Sequence, residues 1–271
     1  MAKVNIRYCK QEPLINSTRG GEAFQPRGAG FTLIEILIVI AIIGILAGLL
    51  LPVLSSAKAR SKQIGCANNL RQVALGFQMY AADNDGRLPE NPPSGSSEKA
   101  WVKGNMQRAE EATNTWLIRT GEIFPYANNV AVYHCPADLS QFGNVRRSRS
   151  YSMNGWMGSR FMETNSRAAY RTFIRENELA AARPATLWML MDENEATIDD
   201  GWFWVTMDDT RPFASSPATR HDHGYGTSFA DGHIESKKLR DPNSRFLGES
   251  YPQISAKNAD WIQLKQITTV K

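Results

Sequence analysis

Four groups of residues in this chain have the types and spacing to do chemistry. Glu35 sits near the start of an otherwise apolar run, residues 31–51, FTLIEILIVIAIIGILAGLLL. A lone carboxylate at membrane depth costs several kcal/mol or is driven to protonate, so Glu35 needs a partner or a position near the headgroups. Cys66 and Cys135 lie beyond the run and Cys9 before it, which leaves an even pair if the first residues are removed. His221-Asp222-His223, with Asp231 and His233, has the residue types of a metal or catalytic cluster. Asp83-Asn84-Asp85-Gly86 mimics the opening of a calcium loop.

The elements that position these groups begin with the apolar run. Residues 31–51 are long enough to cross a bilayer as a helix, which takes about 20 mostly apolar residues. Before it stand Lys3, Arg7, Lys10, Arg19 and Arg27 against Glu12 and Glu22, a net of +3 out of the chain's +4. Positive residues ahead of a span keep that end cytoplasmic and send the rest of the chain across. No basic stripe is left for phosphates, so nucleic acid is not an expected partner. Ala47, Gly48 and Leu49 make a poor secretory cleavage site, whereas the small residues Gly28, Ala29 and Gly30 precede the run.

Beyond Pro52 the helical pattern resumes, with Cys66, Leu70, Val73 and Phe77 on one face, and it should stop near Asp83-Asn84-Asp85-Gly86. Residues 87–100 read as a loop, residues 130–134, 186–191 and 202–207 as strands, and residues 167–182 as a helix stopped by Pro184. Asp231-Gly232 divides two short runs and suits a two-residue type I′ hairpin turn, which would set Phe229 opposite Ile234. The fold expected is α+β, a long helix laid on an antiparallel sheet.

Within that frame the sharper readings weaken. With Asp231-Gly232 at a hairpin tip, an extended strand would hold His221 up to roughly 30 Å away, at about 3.3 Å per residue. His221 then reads as a loop anchor and Asp231 as a turn residue, with no metal. A calcium loop opening at Asp83 would put Ser94 where a bidentate acid belongs, so an EF-hand fails; a different calcium site through Asp192 or Glu193 stays open. Trp202 and Trp204 suit a core better than a sugar platform, although aromatic faces serve both. No Gly-x-Ser-x-Gly frame positions a nucleophile, and an enzyme is not expected.

Gly30-Phe31-Thr32-Leu33-Ile34-Glu35, with the apolar run that follows through Pro52, resembles the recognition site of type IV prepilins and type II secretion pseudopilins. The resemblance implies a pilin-like fold and a prepilin peptidase that cuts between Gly30 and Phe31 and methylates the new Phe31 terminus. It implies further that Glu35 pairs with the terminal amine of a neighbouring subunit. Later stretches resemble a branch of that family with large exported domains: Cys66 to Gln72, Met79 to Gly86, His134 to Asp138, Ser150 to Asn154, and His221 to Asp231-Gly232, a His-x9-Asp-Gly tail signature.

The expected organisation is a cytoplasmic leader over residues 1–30 that is removed, and a helix over 31–84, transmembrane at 31–51. An exported domain follows over 85–271, with the tail hairpin at 221–239. The implied function is that of a structural subunit of a type II secretion-like pseudopilus or a type IV pilus-like filament, held in the inner membrane. Its implied partners are prepilin peptidase, other pilin-like subunits and an inner-membrane assembly platform. The alternative is a scarce tip subunit whose exported domain binds polysaccharide or secreted cargo. On the exported side oxidation is permitted, so Cys66 and Cys135 are expected to form a disulfide, in competition with two buried thiols.

Overall fold

The computed structural model describes residues 31–93, 99–165, 169–245 and 255–271. The leader with Cys9 and Gly30, the middle of the 87–100 loop and the start of the expected 167–182 helix lie outside the described residues. The chain divides into two compact units, Met1–Leu50 and Leu51–Lys271. One continuous helix, α1 (Leu33–Asp83), runs from the first into the second and includes Pro52. It ends where the Asp/Asn/Gly cluster was expected to stop it: Asp85 and Gly86 take positive φ of 55° and 70°, and the Gly86 amide donates to the Ala81 carbonyl.

Short helices follow: α2 (Ala109–Ala112), α3 (Thr115–Arg119) and α4 (Phe124–Ala127). After them come a small hairpin, β1 (Gln141–Phe142) with β2 (Val145–Arg146), then β3 (Tyr151–Asn154), α5 (Arg160–Asn165), α6 (Glu176–Ala181), β4 (Trp188–Asp192) and β5 (Trp202–Phe203). The hairpin β6 (Gly224–Phe229) and β7 (Ile234–Lys238) and a last helix, α7 (Ala259–Gln266), complete the chain. The main sheet has the order β5-β3-β4-β6-β7. Its pairs are antiparallel except β3 with β5, which is parallel. The sheet is therefore mixed, within the expected α+β class.

The second unit has a core on each face of the sheet. On one face the α1 stripe Cys66, Leu70, Val73 and Phe77 is buried with Tyr151, Met153 and Leu190. On the other, Trp188, Met191, Tyr225 and Phe229 pack with Trp261 and Leu264 of α7. A register shift between Trp188 and Leu190 lets β4 serve both cores, and every residue of that strand is buried. A strand covered on both faces reads as a continuous apolar run, which is what Leu187 to Met191 is. β6 approaches α1 closely at Gly226, where a Cβ would lie 2.7 Å from the Leu70 Cδ1 and 3.2 Å from the Cys66 sulfur.

Three expected elements differ. Val130–Tyr133 is a 3₁₀ turn instead of a strand. Its β-branched and aromatic residues are overridden by a cap, the Asn129 side chain accepting from the Ala131 amide at 3.0 Å. Only Trp202 and Phe203 of the expected 202–207 strand pair with the sheet, because the Trp204 amide donates to the Ser215 hydroxyl instead. Residues 171–173 are extended, not helical: the Arg171 amide donates to the Val270 carbonyl and that of Phe173 to Trp156. The helix starts only at Glu176, where the Glu178 carboxylate accepts from the Ile174 and Arg175 amides.

The tail hairpin is also built differently. Ser228 faces Ile234, and the Phe229 amide donates to the His233 carbonyl, so the loop is three residues, Ala230-Asp231-Gly232. Of these only Gly232 has positive φ, 91°. This is a type I turn closed by a glycine bulge, with the Gly232 amide donating to the Phe229 carbonyl at 2.9 Å. The ring of Phe229 consequently stacks on His233, centroids 4.3 Å apart, and does not oppose Ile234.

Gly232→Val should destabilise the chain by about 1–2 kcal/mol from the left-handed backbone alone. Its Cβ would also meet the Gln78 Nε2 at 2.8 Å. A lower urea midpoint with an unchanged slope is the expected result; an unchanged midpoint would contradict this account of the turn.

Candidate functional sites at the N-terminal segment and in a buried polar cluster

In the first unit the large apolar side chains from Phe31 to Leu50 are all exposed, Phe31 at 78% and Leu49 at 69%. The helix is long and apolar enough to cross a membrane. At its start Thr32 and Glu35 form a reciprocal cap. The Thr32 amide and hydroxyl each donate to one Glu35 oxygen at 2.8 Å, and the Glu35 amide donates to the Thr32 hydroxyl at 3.3 Å. Thr-x-x-Glu is a capping-box pattern, and it was legible in residues 32–35. Glu35 is thus hydrogen-bonded within its own chain, four residues after Phe31, the expected new terminus.

In the second unit a buried polar cluster gathers from four places in the chain. Cys66 comes from α1, Cys135 from the turn after Tyr133, Asp192 from the last position of β4, and His221 from the turn before β6. One ligand atom from each lies within 4.8 Å of all the others, and all four residues are buried. The Cys135 sulfur is 3.3 Å from the His221 Nε2. The Asp192 Oδ2 is 3.9 Å from the Cys66 sulfur and 3.8 Å from the His221 Nε2.

A shell of polar groups holds these four. The Tyr151 hydroxyl donates to the Cys66 sulfur at 3.3 Å. The Cys135 amide donates to the Ser150 hydroxyl, which donates to Asp138 at 2.6 Å. Arg220 reaches the Asp192 Oδ1, Asp138 at 3.3 Å and Glu195 at 2.8 Å. Burial pushes the Asp192 carboxyl up to about 7 even with Arg220 beside it. Hydrogen bonding to Cys66 and burial push the Cys135 thiol up. Burial, with Arg220 and Lys62 nearby, holds His221 below the usual histidine range and so neutral.

The two cysteines do meet, but as unbonded thiols and not as the expected disulfide. Besides each other, the sulfurs meet further polar partners, Tyr151 and Asp192 for Cys66, and His221 for Cys135. His221 does anchor a turn, as expected: its amide and carbonyl exchange hydrogen bonds with Gly224, and Asp222 and His223 between them have φ of 54° and 60°. The two-residue turn with paired positive φ expected at Asp231-Gly232 occurs here. Asp231 does not join His221; it bonds the His233 ring at 2.6 Å on the exposed hairpin. Among the described residues the cluster of four is the one group of three or more His, Cys, Asp or Glu with converging ligand atoms. Asp192, weighed from the sequence only for calcium, belongs to it.

Of the tryptophans expected in the core, Trp202 is buried and Trp204 half-buried; Trp156 is also buried. Trp101, Trp188 and Trp261 are fully buried. Trp202 and Trp204, centroids 4.5 Å apart, line a cleft of about 390 Å³ with Trp156, Tyr170 and Met207.

Residues 26–51 match the family described as the prokaryotic N-terminal methylation motif. Over 62 residues, 23% of the chain, it is 44% identical to the type IV major pilin protein PilA of Myxococcus xanthus. It is 39% identical over 56 residues to the type II secretion system core protein G of Pseudomonas aeruginosa. In its N-terminal segment, the chain is similar to type IV pilins and type II secretion pseudopilins. A similar stretch, 46% identical over 56 residues, joins it to the type IV wide pilus major component PilA4 of Thermus thermophilus. The matched part spans only 28% to 43% of these relatives' own lengths. No solved structure matches the chain.

Arg220→Ala should lower stability by about 3–5 kcal/mol, because it leaves buried Asp192 and Asp138 without their cation. Urea unfolding of the detergent-solubilised chain measures it, and a loss under about 1 kcal/mol would mean these carboxylates do not depend on Arg220.

Proposed function

We propose that this chain is a pilin-like structural subunit, cut before Phe31, N-methylated there, and assembled through its apolar helix into a pseudopilus or pilus-like filament. The observation that carries the reading is the methylation-motif match at residues 26–51, together with an apolar helix surface that nothing among the described residues covers. Uncovered apolar surface of this extent calls for lipid before assembly and neighbouring helices after it. The leader stays in the cytoplasm, the second unit lies on the far side of the inner membrane, and an assembly platform and prepilin peptidase act on the span. The role is structural, as it is for the pilin and pseudopilin relatives, and no catalytic residue is assigned. The alternative of a scarce tip subunit rests on the aromatic cleft at Trp156, Trp202 and Trp204, since such faces stack on sugar rings.

Processing should require Gly30, which the peptidase must approach closely. Gly30→Leu should leave residues 1–30 attached, as read by mass spectrometry. A mature methylated Phe31 in that variant would refute the site. Glu35→Val should still be inserted and cut, since removing the charge only favours the membrane, yet should be missing from sheared surface filaments. Normal incorporation would show that Glu35 has no part in assembly. Abundance in those filaments separates a major subunit from a tip subunit retained on glycan resins.

A further inference from the structure

We propose that Cys66, Cys135, Asp192 and His221 form a closed, structural site for a zinc-type divalent cation in the second unit. The site is independent of how the N-terminal segment is processed.

The first support is geometric. Bonds of about 2.3 Å from zinc to sulfur and about 2.0–2.2 Å to nitrogen and oxygen give tetrahedral edges of about 3.3–3.8 Å. The separations of 3.3 Å from Cys135 to His221, 3.8 Å from His221 to Asp192 and 3.9 Å from Cys66 to Asp192 are already of that size. None of the four ligand atoms is more than 4.8 Å from another. A cation at their centre requires the widest of these separations to close by up to about 1 Å.

The second support is the chemistry of the donors. Two thiolates, an imidazole and one carboxylate make a mixed soft and borderline set, suited to zinc and not to calcium, which takes six to eight oxygens. Together with the metal's two positive charges the ligands sum to −1, and Arg220 supplies the adjacent positive charge. Arg220 holds the Asp192 Oδ1 and leaves the Oδ2 facing the sulfurs, while Tyr151 donates to the Cys66 sulfur. These outer contacts orient ligands in the way outer-shell groups do in known metal sites.

The third support is what a disulfide would leave unexplained. A Cys66–Cys135 bond would satisfy two sulfurs and leave a buried carboxylate and a buried imidazole converging on them. Four stretches that stood apart in the sequence each place a residue here: Cys66, Cys135 beside Asp138, Tyr151 beside Ser150, and His221 beside Arg220. With all four positions filled by the protein and buried, the site has no opening for substrate. Its effect is to tie α1 to the end of β4 and to the turns before β1 and β6.

The test uses the detergent-solubilised full chain, stripped of metal under reducing conditions and offered Zn²⁺ or Ca²⁺ alone. One zinc per chain by elemental analysis, a raised melting temperature, and a tetrahedral, thiolate-type absorption spectrum with Co²⁺ are expected. His221→Gln should abolish zinc retention, and His221→Cys, which keeps a ligand there, should restore it with an altered cobalt spectrum. Failure of the reduced chain to take up zinc, with a Cys66–Cys135 disulfide in the protein as isolated, would overturn the proposal. So would calcium uptake in place of zinc, or zinc retained equally by His221→Gln and Cys66→Ser. Metal content is read on purified protein, so the result does not depend on filament assembly.

Discussion

The second unit depends on one contact, the burial of the α1 stripe from Cys66 to Phe77 against the sheet. A helix can lie this close only where the sheet offers no side chain, and β6 provides that gap at Gly226, in van der Waals reach of Leu70 and Cys66. The closeness has an electrostatic cost. It encloses Tyr151, Asp192 and two thiols where water cannot reach them, and each polar atom there needs a protein partner. The dense hydrogen bonding around Arg220, Asp138 and Ser150 follows from that enclosure.

The far face of the sheet follows from the same arrangement. With α1 on one side, strands β4 and β6 would expose Trp188, Tyr225 and Phe229 on the other unless something covered them. The C-terminal segment does so: Trp261 and Leu264 of α7 pack there. Thr268 accepts from the Asn154 amide group at its carbonyl and from the Trp188 indole at its hydroxyl.

The sequence was most legible where period or local chemistry decides structure. The apolar run, the stripe at Cys66, Leu70, Val73 and Phe77, and the stop at Asp83 to Gly86 could be read because each signal lies within a few turns of chain. The buried strand at Trp188 to Asp192 was read for the same reason. The misread elements were those settled by distant partners. Val130–Tyr133 has strand residues but is capped by Asn129, and Arg171 to Phe173 has helical residues but is bonded to Val270 and Trp156. The hairpin tip was placed correctly, yet one residue of loop length moved Phe229 from Ile234 to His233. The cluster was half visible. Cys66 and Cys135 were paired as the two cysteines beyond the apolar run, but His221 was weighed against Asp231, ten residues on. Its actual partners lie 29, 86 and 155 positions away along the chain, beyond the reach of any local pattern.

The cap at Thr32 and Glu35 bears on what trimming does to the helix. A cut before Phe31 leaves the Thr32 amide and hydroxyl in place, so the first turn keeps its closure without the leader. What the proposed cut would change is charge: a new ammonium would arise at the positive end of the helix dipole, where a cation is disfavoured. Glu35 sits in that same turn and offsets it from within the chain. In the proposed assembly a neighbour's amine would therefore meet a carboxylate already bonded to Thr32. It would compete with Thr32, exchanging a bond inside one helix for a bond between two.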